Sequence, residues 1–286
     1  MFTIKRAVEL TGVPAGTLRA WEERYGLGSP RRTEAGYRLY DDAAIAEIQT
    51  MQRLISGGWP HTEAAAEVVR LRSISTGAPP ANSTGAADAL TERFLRSALS
   101  LDTEGLNSAM DEAFARGSFE SVVDGWLAQT MRQIGEEWSA GRMDIAAEHF
   151  ASGAVMRRLG AAFEATASTS GARRVLVGTP TGCYHEMGAL ALAAAIRRRG
   201  LGVIFLGNNV PLQTWEDAVL KHRPSAVVVS VVMPQDIAEA QRVVDQLRQA
   251  QSPTIVAVGG PAAGLVSGAE VVLAGGIADS AKALLN

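Results

Sequence analysis

His185 is the residue of this sequence whose type and position best suit it to bind a metal or a ligand. It lies in the segment 179–188, Thr-Pro-Thr-Gly-Cys-Tyr-His-Glu-Met-Gly, between an apolar run typical of a strand and an alanine-rich run typical of a helix. Loops at the carboxyl ends of strands are where open α/β sheets bind ligands. Gly188 has no Cβ, so a ligand can approach its backbone. The His-x-x-Gly pattern alone is also compatible with an ordinary loop histidine at a helix start.

The elements that must position His185 form a regular alternation of strands and helices. The predicted strands are 174–178, 203–206, 225–232, 254–258 and 270–273, and the predicted helices are 187–199, 212–221, 235–250 and 279–285. The strands are apolar on both faces, which predicts a buried parallel sheet with a flavodoxin-like, doubly wound fold. His185, Ser230 and the pair Gly259-Gly260 then collect at one edge of the sheet. The glycine pair is compatible with a simple turn or with a slot for a ligand.

A second group of chemically distinctive residues lies in the helical stretch 86–168. Trp138 is predicted to end one helix, and Glu148 and His149 to lie one turn into the next, which begins at Asp144. An indole, a carboxylate and an imidazole would thus meet near one end of a four-helix bundle. The alternative is a tryptophan that anchors a helix corner beside a surface Glu-His pair.

Residues 1–72 are predicted to form a small DNA-binding domain. Helices over 3–10 and 17–25, separated by the turn 11–14, give a helix-turn-helix. The glycines of the next segment exclude a long helix, and residues 37–40 alternate as a short strand does, which predicts a hairpin wing. Arginines that lie off the apolar face of the second helix, or in the wing, are Arg19, Arg24, Arg31, Arg32 and Arg38.

The charge of the chain favours DNA binding only locally. The formal net charge of −3 over 286 residues gives no general attraction to nucleic acid. Residues 1–72 carry ten basic side chains against nine acidic ones, and residues 16–40 carry five arginines against three glutamates, a net charge of +2. Arginine suits phosphate and guanine contacts, although a solvated arginine face would have the same composition.

Composition limits the class of protein. A hydrophobic content of 47% with 20% charged residues predicts a globular chain, and one cysteine, Cys183, fits a reducing compartment. The amino terminus has no apolar signal core, and the most apolar helix is far shorter than the ~20 residues that a bilayer requires. We therefore expect a soluble cytoplasmic protein without a membrane partner. The sequence has no Ser/His/Asp set, cysteine cluster or phosphate loop, so we expect no enzyme.

The amino-terminal motifs resemble the MerR family of winged helix-turn-helix regulators. The matching segments are Thr3-Ile4, Leu10-Thr-Gly-Val-Pro14, Thr17-Leu-Arg19, Trp21-Glu22, Arg24-Tyr-Gly26, Pro30-Arg-Arg-Thr33 and Gly36-Tyr-Arg-Leu-Tyr40. The resemblance implies a double-stranded DNA operator as partner. The residues that it implies as DNA contacts are Thr17, Arg19 and Arg24 of the recognition helix and Arg31, Arg32, Tyr37 and Arg38 of the wing.

The carboxy-terminal part is similar to the cobalamin-binding domains of methionine synthase and its relatives. Their motifs are Asp-x-His-x-x-Gly, a strand-end serine and Gly-Gly; here they read Cys183-Tyr-His185-Glu-Met-Gly188, Ser230-Val-Val232 and Gly259-Gly260. The resemblance implies that His185 is the lower axial ligand of cobalt, in place of the cofactor's benzimidazole. It also implies that Ser230 and the glycines line a slot for the nucleotide tail. Cys183 stands where the family has its acid.

The whole chain resembles the CarH-type light-dependent repressors, whose helical segment carries Trp, nine further residues and then Glu-His. Trp138, Glu148 and His149 have this spacing. The resemblance implies that they cover the upper face of adenosylcobalamin, and that light breaks the cobalt–carbon bond. It further implies a DNA-bound tetramer in the dark that dissociates in the light. Ser139 stands where the family has a histidine that binds cobalt after illumination.

Two other functions remain open at this stage. A corrinoid methyl carrier would need a similar bundle and sheet, but it would have no use for residues 1–72. A MerR-type regulator of a different corrinoid or tetrapyrrole would account for the departures at Cys183 and Ser139. The predicted organisation is a DNA-binding domain (1–72), a linker (73–85), a four-helix bundle (86–168) and a cobalamin-binding domain (171–286).

Overall fold

The computed structural model describes most of the chain. The described residues are 1–28, 31–32, 37–56, 61–62, 64–65, 68–69, 85–166, 173–250 and 252–285. The predicted linker lies outside them except for Gly85, which begins a helix. The chain divides into two compact units, one made of residues 1–77 and 132–148 and the other of residues 78–131 and 149–286.

The first unit contains the predicted helix-turn-helix. Helix α1 (Ile4–Thr11) is capped by Thr3, whose hydroxyl accepts a hydrogen bond from the backbone N–H of Arg6. Helix α2 (Ala15–Tyr25) follows after a short turn. Gly12 and Gly26 end the two helices with φ of +71° and +64°, a left-handed conformation that glycine adopts without strain. The order helix, turn, helix is therefore confirmed.

A small antiparallel sheet forms the wing. Strands β2 (Arg31–Arg32) and β3 (Arg38–Tyr40) pair as the predicted hairpin, and β1 (Phe2–Thr3) pairs with the other side of β3. Strand β1 was not predicted, since two residues are too few to show an alternating pattern. Helix α3 (Asp42–Ser56) follows β3 and packs its apolar face on the core of this unit, which includes Leu18, Trp21, Tyr40, Ile48 and Met51.

Four helical stretches lie between residues 85 and 165, with breaks where the sequence predicts them. They are α4 (Gly85–Leu99), α5 (Thr103–Ala115), α6 (Phe119–Val122, the π-helical turn Val123–Leu127 and Ala128–Ser139) and α7 (Ile145–Ala165). Asp102 caps α5 by accepting from the N–H of Gly105 (3.0 Å), and Ser118 caps α6 by accepting from the N–H of Ser121 (3.1 Å). Such caps satisfy backbone donors that have no partner within the helix.

The second unit contains a five-stranded parallel sheet in the order β5-β4-β6-β7-β8. Its strands are β4 (Arg174–Pro180), β5 (Gly202–Val210), β6 (Ala226–Ser230), β7 (Ile255–Gly259) and β8 (Val271–Leu273). Its helices are α8 (Met187–Arg198), α9 (Leu212–His222), α10 (Ile237–Gln249) and α11 (Ile277–Ala283). This order confirms the flavodoxin-like fold, because the chain leaves β4 on one side toward β5 and returns on the other side to β6. The carboxyl end of β4 is thus the topological switch point, where such folds bind ligands.

No helix in the described ranges is both long enough and apolar enough to span a membrane.

Candidate functional site

The loop that carries His185 is held in place by the end of strand β5. The backbone N–H of Asn209 donates to the hydroxyl of Thr179 (3.1 Å) and to the carbonyl of Cys183 (2.9 Å). The amide oxygen of Asn209 accepts from the N–H of Gly182 (2.7 Å), and Thr179 itself donates to the carbonyl of Cys183 (2.6 Å). These bonds fix the backbone immediately before His185, so the imidazole leaves the switch point in a defined direction.

His185 belongs to a compact group with Cys183 and Asp236. One potential ligand atom from each side chain lies within 4.8 Å of the other two. The Sγ of Cys183 is 3.9 Å from Nδ1 of His185, and Nε2 on the other side of the ring is buried. Asp236, at 3% exposure, comes from the loop after β6 and accepts a hydrogen bond from the N–H of Met233 (2.8 Å). The structure therefore supplies a carboxylate that the sequence motif lacks.

The thiol of Cys183 holds its proton at neutral pH. Burial raises the pKa of Cys183 to about 12, and the negative charge of Asp236 and a hydrogen bond to its carboxylate act in the same direction. A protonated thiol is a hydrogen-bond donor rather than a metal ligand. The group is for that reason better described as one imidazole with two hydrogen-bonding neighbours than as a three-ligand metal site.

The remaining predicted residues of this edge lie at the ends of β6 and β7 and at the start of α8. Ser230 is buried and pairs in register with Gly259 on the adjacent strand. Gly260 has φ of +103°, and a Cβ there would come within 2.6 Å of the carbonyl oxygen of Val231, so close packing of the chain itself requires this glycine. A Cβ on Gly188 would meet nothing within 4 Å.

These positions fit a ligand that binds over the sheet edge. Three adjacent strands, β4, β6 and β7, end at the same edge because they are parallel. They bring together an imidazole and a buried serine there. Gly188 is exposed and a Cβ there would meet nothing within 4 Å, so the chain leaves room at the start of α8. An imidazole nitrogen suits cobalt, so the donor set fits a cobalamin.

The Trp138 corner is tightly built. Gly141 has a φ of +71°, and its N–H donates to the carbonyl of Trp138 (2.9 Å). Arg142 forms an ion pair with Glu137 (2.7 Å). Asp144 begins α7 by accepting from the N–H of Ala147 (2.8 Å). The corner thus fixes the end of α6 and the start of α7.

The three residues predicted to cover the upper face of the cofactor differ in exposure. Trp138 is 3% exposed and Glu148 is 0% exposed, whereas His149 faces solvent. The alternative of a surface Glu-His pair is therefore wrong for Glu148. Within the described residues, the indole nitrogen of Trp138 is buried without a hydrogen bond. The same is true of Trp126 and Trp215, so this nitrogen alone does not identify a ligand.

Ser139 faces the helix-turn-helix of its own unit. Its hydroxyl donates to the carbonyl of Glu136 (3.0 Å). The residue lines a cavity of about 370 Å³ together with the end of α1, the exposed face of α3 and the next two residues of the corner. Ile145, at the start of α7, packs against the same helix-turn-helix core. The corner that carries Trp138 is thus part of the surroundings of the DNA-binding helices.

The predicted DNA contacts have different environments. Arg19 and Arg24 are exposed on α2, Thr17 is half-buried, and Tyr37 is 73% exposed in the wing. Arg38 instead forms an ion pair with Glu22 (2.6 Å), and the hydrogen bond to Glu22 raises the pKa of Arg38. This half-buried pair joins the wing to α2, and a DNA contact by Arg38 stays a prediction. The side chains of Arg31 and Arg32 lie outside the description, although their backbone forms β2.

Comparison with known proteins identifies the same parts. Residues 2–70 match the MerR HTH family regulatory protein, and residues 90–162 and 173–279 each match a B12 binding domain. Together with the fold and the sheet-edge histidine, these matches define a MerR-type transcription regulator with cobalamin-binding domains. The chain is 33% identical over 273 residues to the HTH-type transcriptional repressor CarH of Myxococcus xanthus, covering 92% of this chain and 89% of that protein. It belongs to the family of MerR-type repressors that includes CarH and CarA.

Other relatives agree with this assignment. The HTH-type transcriptional repressor CarA of Myxococcus xanthus is 31% identical over 259 residues, or 90% of this chain and 85% of that protein. The monomethylamine corrinoid protein of Methanosarcina barkeri shares the fold over 69% of this chain and 98% of its own, with a TM-score of 0.58 and 17% identity. The predictions of a multidomain α plus α/β fold and of a regulator rather than an enzyme are confirmed.

Two residues of the site were not predicted. Asn209 lies at the end of β5 and Asp236 in the 3₁₀ turn after β6. Both are distant from His185 in the sequence, and neither belongs to a motif that the sequence displays. An acidic residue just after Pro234 reads as an ordinary helix start. Only the strand order, which places the β6 loop beside the β4 loop, reveals that Asp236 is a neighbour of His185.

Proposed function

We propose that the chain represses transcription by binding a double-stranded DNA operator through its MerR-type domain, and that it senses light through adenosylcobalamin. The observation that supports this most is the position of His185 at the switch point of the sheet, beside the open backbone at Gly188, in a chain that also carries a helix-turn-helix. The protein would meet both the operator DNA and adenosylcobalamin in the cytoplasm.

Each residue of the sheet edge has a part in this proposal. His185 holds cobalt through Nε2, because Nδ1 faces Cys183. Ser230, Gly259 and Gly260 would line the slot for the nucleotide tail, and Gly188 would leave room beside His185. Trp138, Glu148 and His149 would cover the cofactor from the helical segment. When bound, adenosylcobalamin supplies a cobalt–carbon bond that light cleaves.

Light acts in this proposal by changing the assembly of the protein. Contacts of Trp138 with the bound cofactor would favour one arrangement of the helical segment, and their loss would shift the population to another. The arrangement favoured in the dark is a DNA-bound tetramer, which dissociates when the adenosyl group is lost. Ile145 and Ser139 adjoin the DNA-binding helices. A change at the Trp138 corner could therefore reach the MerR-type domain through them.

A second candidate is a regulator that senses a different corrinoid or tetrapyrrole without using light. Ser139 favours it, because a serine hydroxyl that donates to Glu136 cannot replace the family's histidine as a stable cobalt ligand. His149 is the imidazole that remains in this segment.

DNA affinity in three states of the protein tests the proposal. Duplexes are first selected from a random library with the dark protein that is saturated with adenosylcobalamin. Fluorescence anisotropy and light scattering then follow the apo-protein, the dark holo-protein and the holo-protein after green light. We expect the dark form to be a tetramer and to bind DNA at least about tenfold tighter than the other two forms, a coupling typical of allosteric proteins. Equal affinity in all three states would contradict the proposal, and a dark form that light does not change would favour the second candidate.

Arg24→Ala provides the control for the mode of DNA binding. Removing one phosphate contact weakens binding to every sequence and reduces the slope of log K against log salt concentration by about 0.9. Arg6→Ala, which removes an exposed arginine of α1 that pairs with Glu9, should leave the slope unchanged.

A further inference from the structure

The carboxylate that the His185 motif lacks is present in the fold at another place. Cys183 occupies the position of the family's acid, two residues before the histidine. Asp236 reaches the same point from the loop after β6, and its carboxylate lies within 4.8 Å of the nearest ligand atoms of both Cys183 and His185. The 3₁₀ turn Pro234–Asp236 directs this side chain inward, where only 3% of the residue is exposed.

A carboxylate does not remain buried without hydrogen-bond donors. Removing an ionised carboxylate from water costs several kcal/mol unless it is paired or hydrogen-bonded. Asp236 accepts a hydrogen bond from the N–H of Met233 at 2.8 Å, and the Sγ of Cys183 lies within 4.8 Å of its carboxylate. The thiol is the informative neighbour, because the same sulfur atom lies 3.9 Å from Nδ1 of His185, at the outer limit of a hydrogen bond to sulfur.

The three side chains can thus form a continuous chain of hydrogen bonds. In such a chain Nδ1–H of His185 would donate to the sulfur of Cys183, and the thiol would donate to the carboxylate of Asp236. This direction leaves the lone pair on Nε2, the nitrogen that a metal requires. Histidines that bind metals almost always donate their other N–H to a carboxylate, a carbonyl or water, and this bond fixes the tautomer and the ring orientation.

We infer that Asp236 is the acid partner of His185 in this chain and positions the imidazole through Cys183. The inference rests on the proposed function, since the positioned imidazole is the one proposed to bind cobalt. Asp236 touches neither cobalt nor substrate in this account, so it is a positioning residue.

The tautomer of His185 in the apo-protein provides a test that does not need the cofactor. Two-dimensional ¹⁵N NMR of histidine-labelled protein distinguishes Nδ1–H from Nε2–H rings, and the His185 signals are assigned by their loss in His185→Gln. We expect the Nδ1–H form in the wild type and a shift toward the Nε2–H form in Asp236→Asn. Asp217→Asn, which changes an exposed acid of α9, is the matched control and should leave the signals unchanged. An unaltered tautomer in Asp236→Asn would overturn the inference.

Cofactor affinity gives the second readout. Loss of such an outer partner costs about 10–100-fold in metal affinity, so we expect Asp236→Asn to bind adenosylcobalamin in the dark that much more weakly. The absorption spectrum should show a smaller fraction with imidazole on cobalt. Adding Cys183→Asp to Asp236→Asn restores an acid two residues before His185, and this double variant should recover affinity and spectrum. Wild-type values in Asp236→Asn, or no recovery in the double variant, would contradict the inference.

The outcomes separate this inference from the proposed function. A wild-type protein that does not bind cobalamin removes the proposed function, whereas the NMR comparison still decides whether Asp236 sets the tautomer. A wild type that binds through His185 and is insensitive to Asp236→Asn removes the inference alone. Should Asp236→Asn not fold, Cys183→Ser and Cys183→Ala take its place. Cys183→Ser keeps a hydroxyl that can join His185 to Asp236 and should retain the wild-type tautomer. Cys183→Ala breaks this chain of hydrogen bonds and should lose that tautomer.

Discussion

The reactivity of the Cys183 thiol depends on the surroundings that it shares with His185. Cys183 is 0% exposed, and burial together with the charge of Asp236 raises its pKa from an ordinary value of 9.0 to about 12. Below the pKa, each unit by which the pKa rises lowers the thiolate fraction about tenfold. At about pH 8 the folded protein should therefore hold about a thousandth of the thiolate that the unfolded chain holds.

Alkylation measures this difference. We expect iodoacetamide to modify the native protein at least about a thousandfold more slowly than the urea-unfolded chain, as followed by intact mass. Since Cys183 is the sequence's one cysteine, every adduct reports on this site. Rapid modification of the native protein would show that the loop is open and that the thiol does not join His185 to Asp236.

Single residues also show the limits of sequence reasoning. Glu148 looks like a surface residue beside His149, because glutamate is almost never fully buried, yet it is 0% exposed. The sequence pattern does not record which side of α7 faces the core. For His185 the sequence was sufficient, since a histidine between a strand and a helix marks the sheet edge whatever the rest of the fold does.

At the scale of elements, strong periodicity made the sheet predictable. The run 225–232 is apolar on both faces, and the structure places β6 (Ala226–Ser230) within it. Strand β5 is longer than its predicted range of 203–206, because its pairing with β4 continues to Val210. Gly207 and Asn209 are poor strand formers, and in the structure they have φ of +79° and +51° where the register of this pairing shifts. The π-helical turn Val123–Leu127 also escaped prediction, since one extra residue per turn barely changes an apolar pattern.

Gly260 illustrates how an element boundary depends on one residue. A side chain at φ of +103° is strained, and its Cβ would lie 2.6 Å from the carbonyl oxygen of Val231 on the neighbouring loop. We expect Gly260→Ala to lower the free energy of unfolding, measured by urea denaturation, by about 1–3 kcal/mol.

Gly264→Ala is the matched control for this prediction. Gly264 is exposed within the 3₁₀ turn Ala263–Leu265, and a Cβ there would meet nothing within 4 Å. Its replacement should change the stability by less than about 0.5 kcal/mol. A Gly260→Ala protein as stable as Gly264→Ala would mean that the loops after β6 and β7 do not approach each other as described.

Within the second unit, the helical segment and the sheet domain are joined by polar contacts. The side chain of Asp124, in the π-helical turn, accepts a hydrogen bond from the N–H of Ile277 (2.8 Å) and so caps α11. Arg198, at the end of α8, pairs with Glu120 at 2.9 Å. These contacts connect the part of the chain that carries α6 to the part that carries His185.

Replacing Asp124 tests this connection. Asp124→Ala removes the cap of α11, and loss of such a cap costs about 0.5–2 kcal/mol, so urea denaturation followed by tryptophan fluorescence should show a lower free energy of unfolding. Asp124→Asn keeps an oxygen acceptor and should stay within about 0.5 kcal/mol of the wild type. Equal stability of the alanine variant and the wild type would show that the contact contributes nothing to the packing of the two parts.

The claim on which the regulatory account depends is that His185 binds cobalt. Electron paramagnetic resonance of the protein with bound cob(II)alamin tests it most directly, because the nitrogen on the lower face of cobalt splits the signal according to its nuclear spin. We predict a three-line splitting in unlabelled protein, a two-line splitting in protein labelled with ¹⁵N-histidine, and no dependence on the label in His185→Ala. A three-line splitting that persists in the labelled wild type would show that the cofactor keeps its own benzimidazole, and would contradict the account.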